Sequence, residues 1–168
     1  MNVTAYGDRL QEALDRTVVT GEVVLLDRDK KHFFIGNGGS AAIASHMAAD
    51  FSNKAGISAL ALTDLSALTC VSNDYGYRDV FERQLGWHVQ EGDRLFAISS
   101  SGQSANIVNA AKYASRARLM VITLSGFAAD NPLRQVGDVN FYVPSSDYGI
   151  VETAHLGILH ALLEEVAK

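Results

Sequence analysis

His46 and Asp50 stand four residues apart in an alanine-rich stretch without proline, so on a helix they share a face, and Lys54 continues the stripe. Near the other end, Glu152, Leu156 and His160 fall on a second i, i+4, i+8 line, with His155 offset from it. A histidine and a carboxylate on each of two helices are the side chains that hold a divalent cation such as zinc, or that carry protons in acid–base catalysis. One His/Asp pair at this spacing is ordinarily a solvated face. Two such pairs make shared chemistry the reading to test. Eight residues of helix separate Glu152 and His160 by roughly 12 Å at about 1.5 Å per residue. If both serve one small centre, they come from two copies of the helix. The sequence therefore predicts an oligomer whose sites draw on at least two subunits, with Asp50 of one chain complementing His160 of another.

The segment ahead of His46 suggests what such a centre would act on. Phe33-Phe34-Ile35 stops at Gly36-Asn37-Gly38-Gly39-Ser40, and a helix-forming stretch follows. That order reads as strand, tight turn and helix start. Glycines let a ligand approach the backbone, and Ser40 offers an N-cap or a hydroxyl donor. Free N–H groups at a helix start favour an anion, most often phosphate. A second apolar run, Leu95-Phe96-Ala97-Ile98, ends at Ser99-Ser100-Ser101-Gly102-Gln103-Ser104. Neither loop has the Gly-Lys-Ser/Thr of a nucleotide triphosphate loop or the Gly-x-Gly-x-x-Gly of a dinucleotide fold. A hydroxyl-rich cradle without lysine suits a small phosphate ester. A third segment, Ser72-Asn73-Asp74-Tyr75-Gly76-Tyr77, offers Asp74 either to sugar hydroxyls or as a cap for the next helix.

The elements that must position these groups read as one α/β domain over 1–168. Apolar residues make up 48% of the 168 residues, enough for a substantial core. Leu10, Ala13, Leu14 and Val18 recur at helical spacing, which predicts an N-terminal helix over about 4–25 ahead of a core over about 30–168. Strand candidates lie at 32–36, 58–62, 68–72, 94–98, 118–123 and 139–143, mostly as continuous apolar runs of the kind found in a buried parallel sheet. Helices are expected at about 41–54, 77–86, 104–116, 129–135 and 149–167. The alternation predicts a doubly wound, five-stranded parallel sheet flanked by helices, with ligand loops at the strands' carboxyl ends. A net charge of −5 without a basic block argues against nucleic acid. The single cysteine, Cys70, excludes a disulfide framework. Neither a signal-peptide core nor a bilayer-length apolar stretch is present, so a soluble cytoplasmic protein is expected, with no membrane partner.

In order and spacing these motifs resemble the sugar isomerase (SIS) domain superfamily, and within it the phosphoheptose isomerases, over roughly residues 30 to 168. The resemblance implies a flavodoxin-like sheet and conversion of sedoheptulose 7-phosphate to a glycero-manno-heptose 7-phosphate, an early step toward activated heptose for surface polysaccharides. It also implies a homotetramer with sites at subunit interfaces. Carried over by position, the metal set is His46, Asp50, Glu152 and His160, with zinc as the expected ion. Asp50 stands for the family's base and His160 for its acid. Asn37, Gly38, Gly39, Ser40, Lys54, Asp74, Ser99, Ser100, Ser101, Ser104 and Glu152 are the substrate-binding candidates.

Two departures bear on the chemistry. Aspartate replaces the family's glutamate at 50, which retracts the carboxylate by about 1 Å, a displacement that can cost on the order of 100-fold in rate. Glu152 replaces a glutamine, making the site more anionic and offering an alternative base if Asp50 binds metal. A non-catalytic SIS adaptor, similar to bacterial initiator-associating proteins, is the rival reading. Those relatives lack the acid groups that Asp50 and His160 supply here. A phosphosugar-sensing module is a third, disfavoured by the absence of a DNA-binding segment.

Overall fold

The computed structural model describes residues 2–22 and 28–167. Its centre is β4 (Arg94–Ser99), in which all six residues are buried. To one side it pairs in parallel with β5 (Met120–Ser125), which pairs in parallel with β6 (Val139–Tyr142). To the other side it pairs in parallel with β2 (His32–Ile35), which pairs in parallel with β3 (Ala59–Ala61). A short edge strand, β1 (Val18–Thr20), runs antiparallel against β6, giving the order β1-β6-β5-β4-β2-β3. Without β1 this is the flavodoxin-like order expected from the sequence.

The pleat divides the apolar residues of each central strand between two cores. Phe33, Leu95 and Ala97 point into a cluster with Val71, Phe81, Leu85 and Ile107, from α3 (Leu65–Tyr75), α4 (Val80–His88) and α5 (Ala105–Arg116). Phe34, Phe96 and Ile98 point the other way, into a cluster with Met47, Phe51 and Leu159, from α2 (Gly39–Ala55) and α6 (Tyr148–Val166). There Phe34 and Phe96 stack with centroids 4.4 Å apart, and Phe51 meets Phe34 edge-on. Helix α1 (Val3–Asp15) packs outside α6.

Several expectations are corrected. The sheet has six strands rather than five, because the chain leaves α1 early. Thr17 closes that helix, its N–H donating to Leu14 O and its hydroxyl to Ala13 O, so the predicted helix over 4–25 stops at Asp15. Its last three residues, 23–25, lie outside the described residues. The predicted strand at 68–72 is helical, inside α3. Asp64 caps that helix through Ala67 N at 2.9 Å, and only Val71 of it is buried, so a one-sided helix accommodates the apolar run better than a strand would. Segment 129–135 makes turns instead of a helix. The buried Asn131 side chain bonds Ser125, Gly126 and Ala128, and its carbonyl accepts from Arg134 N, which fixes an irregular loop. The helix expected at 77–86 begins as a 3-10 turn, Tyr77–Asp79, before α4.

Truncating Phe96 to Ala removes the ring around which the α2/α6 core is built. Denaturant unfolding is expected to show a loss of about 3–5 kcal/mol, the usual cost of emptying a buried aromatic site. A loss below about 1 kcal/mol would show that this core can collapse around the gap.

Candidate active site

The sheet order reverses between β2 and β4, and the loops that follow these two strands therefore flank one crevice at their carboxyl ends. The glycine loop leads into α2 and the serine loop into α5. Helices α1, α3 and α6 are capped by the side chains of Asn2, Asp64 and Asp147. By contrast, α2 and α5 start at Gly38 and Ser104 with no side-chain cap, as does α4 at Asp79, where the 3-10 turn runs straight into the helix. The first amides of each helix have no intrahelical acceptor, so the starts of α2 and α5 present unused donors and positive dipole ends to the crevice. Helix starts of this kind suit an anion, and no cationic side chain lines the crevice between them.

A cavity of about 270 Å³ fills the crevice. Asn37, Gly38, Gly39, Ser40, Ser99, Ser100, Ser101 and Ser104 all line it, and Glu152 forms part of its wall. Ser40 lies inside α2 with its side chain buried, so it is not the helix cap that the sequence suggested. The Ser100 hydroxyl is buried without a hydrogen-bond partner among the described residues. The Glu152 carboxylate packs against Gly39, where a β-carbon would push that side chain aside. Gly102 turns the serine loop at φ 64°, against the Asn131 amide that braces it from below.

A second centre lies further along the same two helices. His46 of α2 and His160 of α6 face each other with their Nε2 atoms 3.4 Å apart, and Asp50 Oδ2 lies 3.7 Å from His46 Nε2. One donor atom from each of the three lies within 4.8 Å of the others. Tetrahedral coordination with bonds of about 2.0–2.1 Å places donors roughly 3.4 Å apart, so this set fits a divalent ion with a position left open. Lys54 donates to Asp50 Oδ2 at 2.7 Å. That hydrogen bond, reinforced by the charges of Lys54, His46 and His160, holds the Asp50 carboxyl below the usual aspartate range.

The centre takes Asp50 and His160 from a single chain, correcting the expectation that they complement each other across subunits. Glu152 is not part of it and lies at the cradle instead. Lys54 is engaged with Asp50 rather than lining the cavity. Asp74 lies on the exposed side of α3, accepting from Asn73, and caps no helix. His155 is fully buried, with Nε2 bonded to Ser125 O at 3.2 Å and Nδ1 without a partner among the described residues. Sequence reasoning passed over Tyr148 and Ile98 in the cavity wall, and Asn106 and Tyr77 beneath the glycine loop. Asn106 alone left a signal. Asparagine is a poor helix former, yet it stands at the second position of α5.

Residues 10–126 match the family model described as SIS domain. The chain is 40% identical to a phosphoheptose isomerase of Campylobacter concisus over 147 residues, 84% of this chain and 77% of that one. It is 35% identical to a phosphoheptose isomerase of Helicobacter pylori, over 95% of this chain and 85% of that one. The structure of phosphoheptose isomerase from Neisseria gonorrhoeae superimposes with a TM-score of 0.83 at 31% identity, covering 97% of this chain and 94% of that one.

Burial drives the His155 pKa from 6.5 down to about 4, although the bond to Ser125 opposes it. The folded state keeps this ring neutral, while the unfolded chain protonates it below about 6.5. Its contribution is therefore complete above about 6.5 and is lost as pH falls toward about 4. Urea unfolding at pH 7.5 and at pH 4.5 should show a drop in stability that is smaller in His155→Gln. Equal drops in the two proteins would contradict the assignment.

Proposed function

The chain belongs to the SIS domain family, among its phosphoheptose isomerases, and we propose that it interconverts sedoheptulose 7-phosphate and a glycero-manno-heptose 7-phosphate. What carries this reading is the pair of uncapped helix starts converging on one hydroxyl-lined cavity that contains no cationic side chain. Such a cradle fits a phosphate monoester and gives a nucleotide base nothing to recognise.

The reaction moves one proton between carbons and one between oxygens. Asp50, held ionised by Lys54, takes the C1 proton of the ketose and returns it to C2 of the enediol. His160 protonates O2 and accepts the proton of O1, so that the aldose forms with no net gain or loss of atoms. His46, Asp50 and His160 would hold the ion, most suitably zinc given two nitrogens and one oxygen, and zinc there supplies Lewis acidity toward the carbonyl. With an ion bound, Asp50 and His160 would be ligands rather than proton carriers, and Glu152, in the cavity wall, would be the alternative base.

Distance supports a shared site. Gly39 and Asp50 are separated by roughly 16 Å along α2, and Glu152 and His160 by roughly 12 Å along α6. A seven-carbon chain bearing a terminal phosphate reaches only about 10 Å at ordinary bond lengths. These lengths are compatible with a site in which the cradle of one subunit works with the His46/Asp50/His160 centre of another, in a homotetramer of the family type. Hetero-oligomers of Asp50→Asn and Ser104→Ala chains should regain activity, because some sites receive an intact cradle and an intact centre. Mixtures of Asp50→Asn with His160→Ala should stay inactive, since no chain carries both groups. The opposite pattern would overturn the shared arrangement.

The activity is tested by incubating the protein with sedoheptulose 7-phosphate in heavy water and following aldose formation and deuterium at the exchanging carbon by NMR. Asp50→Asn is expected to slow both by about 100-fold or more. Full exchange in Asp50→Asn with none in Glu152→Gln would transfer the base role to Glu152. No aldose from the unaltered protein would sink the proposal.

Protein purified without a histidine tag should contain near-stoichiometric zinc, and His46→Ala should lose it. Full activity after exhaustive chelation would leave acid–base catalysis alone.

A further inference from the structure

We propose that Tyr77 and Asn106, neither of which lines the cavity, are positioning residues that set the spacing of the two anion loops. The proposal rests on the phosphate cradle described above. The parallel ladder between β2 and β4 ends at the pair Ile35↔Ala97, and beyond it the two loops diverge with no further backbone bonds to fix the gap. The next cross-link is made by side chains. Asn37 on the glycine loop and Asn106 at the start of α5 form a reciprocal amide pair, each Nδ2 donating to the other's Oδ1 at 2.9 Å. The Tyr77 hydroxyl, from the 3-10 turn between α3 and α4, donates to the same Asn37 Oδ1 at 2.9 Å.

Counting donors and acceptors shows what this leaves for a ligand. Both lone pairs of Asn37 Oδ1 are used, by Asn106 and by Tyr77. One of its two Nδ2 hydrogens is used as well, so the Asn37 side chain keeps a single N–H for the cavity. Asn106 Oδ1 also accepts from Ile107 N and thereby steadies the start of α5. Asn37 is therefore mainly a strut, and phosphate is gripped by backbone amides whose separation the strut fixes. A second feature makes the arrangement specific. Asn106 is buried at 3% exposure, whereas the Tyr77 side chain lies mostly outside at 56%. The tyrosine reaches inward with its hydroxyl alone, and the packing of its ring does not account for the bond.

Tyr77→Phe removes that hydroxyl and opens no cavity. Asn106→Asp keeps the shape but loses the donor to Asn37. In each variant KM for sedoheptulose 7-phosphate, and the Kd for inorganic phosphate by calorimetry, should rise about 5- to 10-fold, the worth of one hydrogen bond. The kcat should stay within about twofold, because the proton-transfer groups lie elsewhere on the helices. Amide hydrogen exchange should quicken in segments 36–40 and 99–104 of Tyr77→Phe while its thermal midpoint is retained. A merely structural role would lower the midpoint without separating KM from kcat.

Wild-type phosphate affinity together with wild-type exchange in Tyr77→Phe overturns the proposal. If Asn106→Asp does not fold, Tyr77→Phe decides alone. If the unaltered protein does not turn over the heptulose phosphate, the functional reading fails, while phosphate affinity and exchange still decide the role of Tyr77.

Discussion

Everything at the active site depends on the parallel pairing of β2 with β4 at the point where the strand order reverses. Elsewhere in the sheet, connections leaving neighbouring strands run the same way along it, or start from an edge strand, and leave no gap between them. Here two consecutive neighbours send their helices to opposite faces, and the chain opens between them. A crevice at that point exposes the starts of both helices, where the backbone has donors it cannot use internally. The sequence leaves those donors unclaimed. Asparagine or aspartate caps α1, α3 and α6, but the two helices at the crevice begin at glycine and at a serine that does not cap.

That arrangement would let an acidic protein bind an anion without lysine or arginine in the cavity. Backbone dipoles are fixed and partial, so they stabilise a phosphate without the reorganisation that a flexible ammonium would need. The cost is geometric. Donors of this kind would work only while their separation is held, which is where the partly buried amide pair of Asn37 and Asn106 matters. On the serine loop, Gly102 rests against the Asn131 amide, which is itself tied to Ser125, Gly126 and Ala128. Glu152 in the wall would disfavour a second negative charge beside a bound phosphate.

The two polar centres on α2 and α6 lie at matching separations because the helices run side by side. Gly39 with Glu152 and His46 with His160 are successive contacts along one interface. Helix rise puts the backbones of the two centres roughly 10–12 Å apart, about the span of a seven-carbon sugar phosphate.

Continuous apolar runs and period-3.6 patterns were strong enough in the sequence to establish the α/β class, the buried parallel strands and the position of the glycine and serine loops. The apolar runs at Phe33–Ile35 and Leu95–Ile98 can be satisfied only between two helical layers. The i, i+4 spacing likewise put His46 and Asp50 on one face before any fold was known. Local pattern misled where a short apolar run had one buried side only, as at Leu68–Val71. It also misled where a single buried amide, Asn131, overrode helical propensity, and where Thr17 ended the first helix. Tertiary structure alone decided that His160 meets His46 while Glu152 turns to the cradle. It alone brought Tyr77 to Asn37 across 40 residues. Those outcomes depend on the angle and register at which whole elements pack, and no spacing along the chain encodes them.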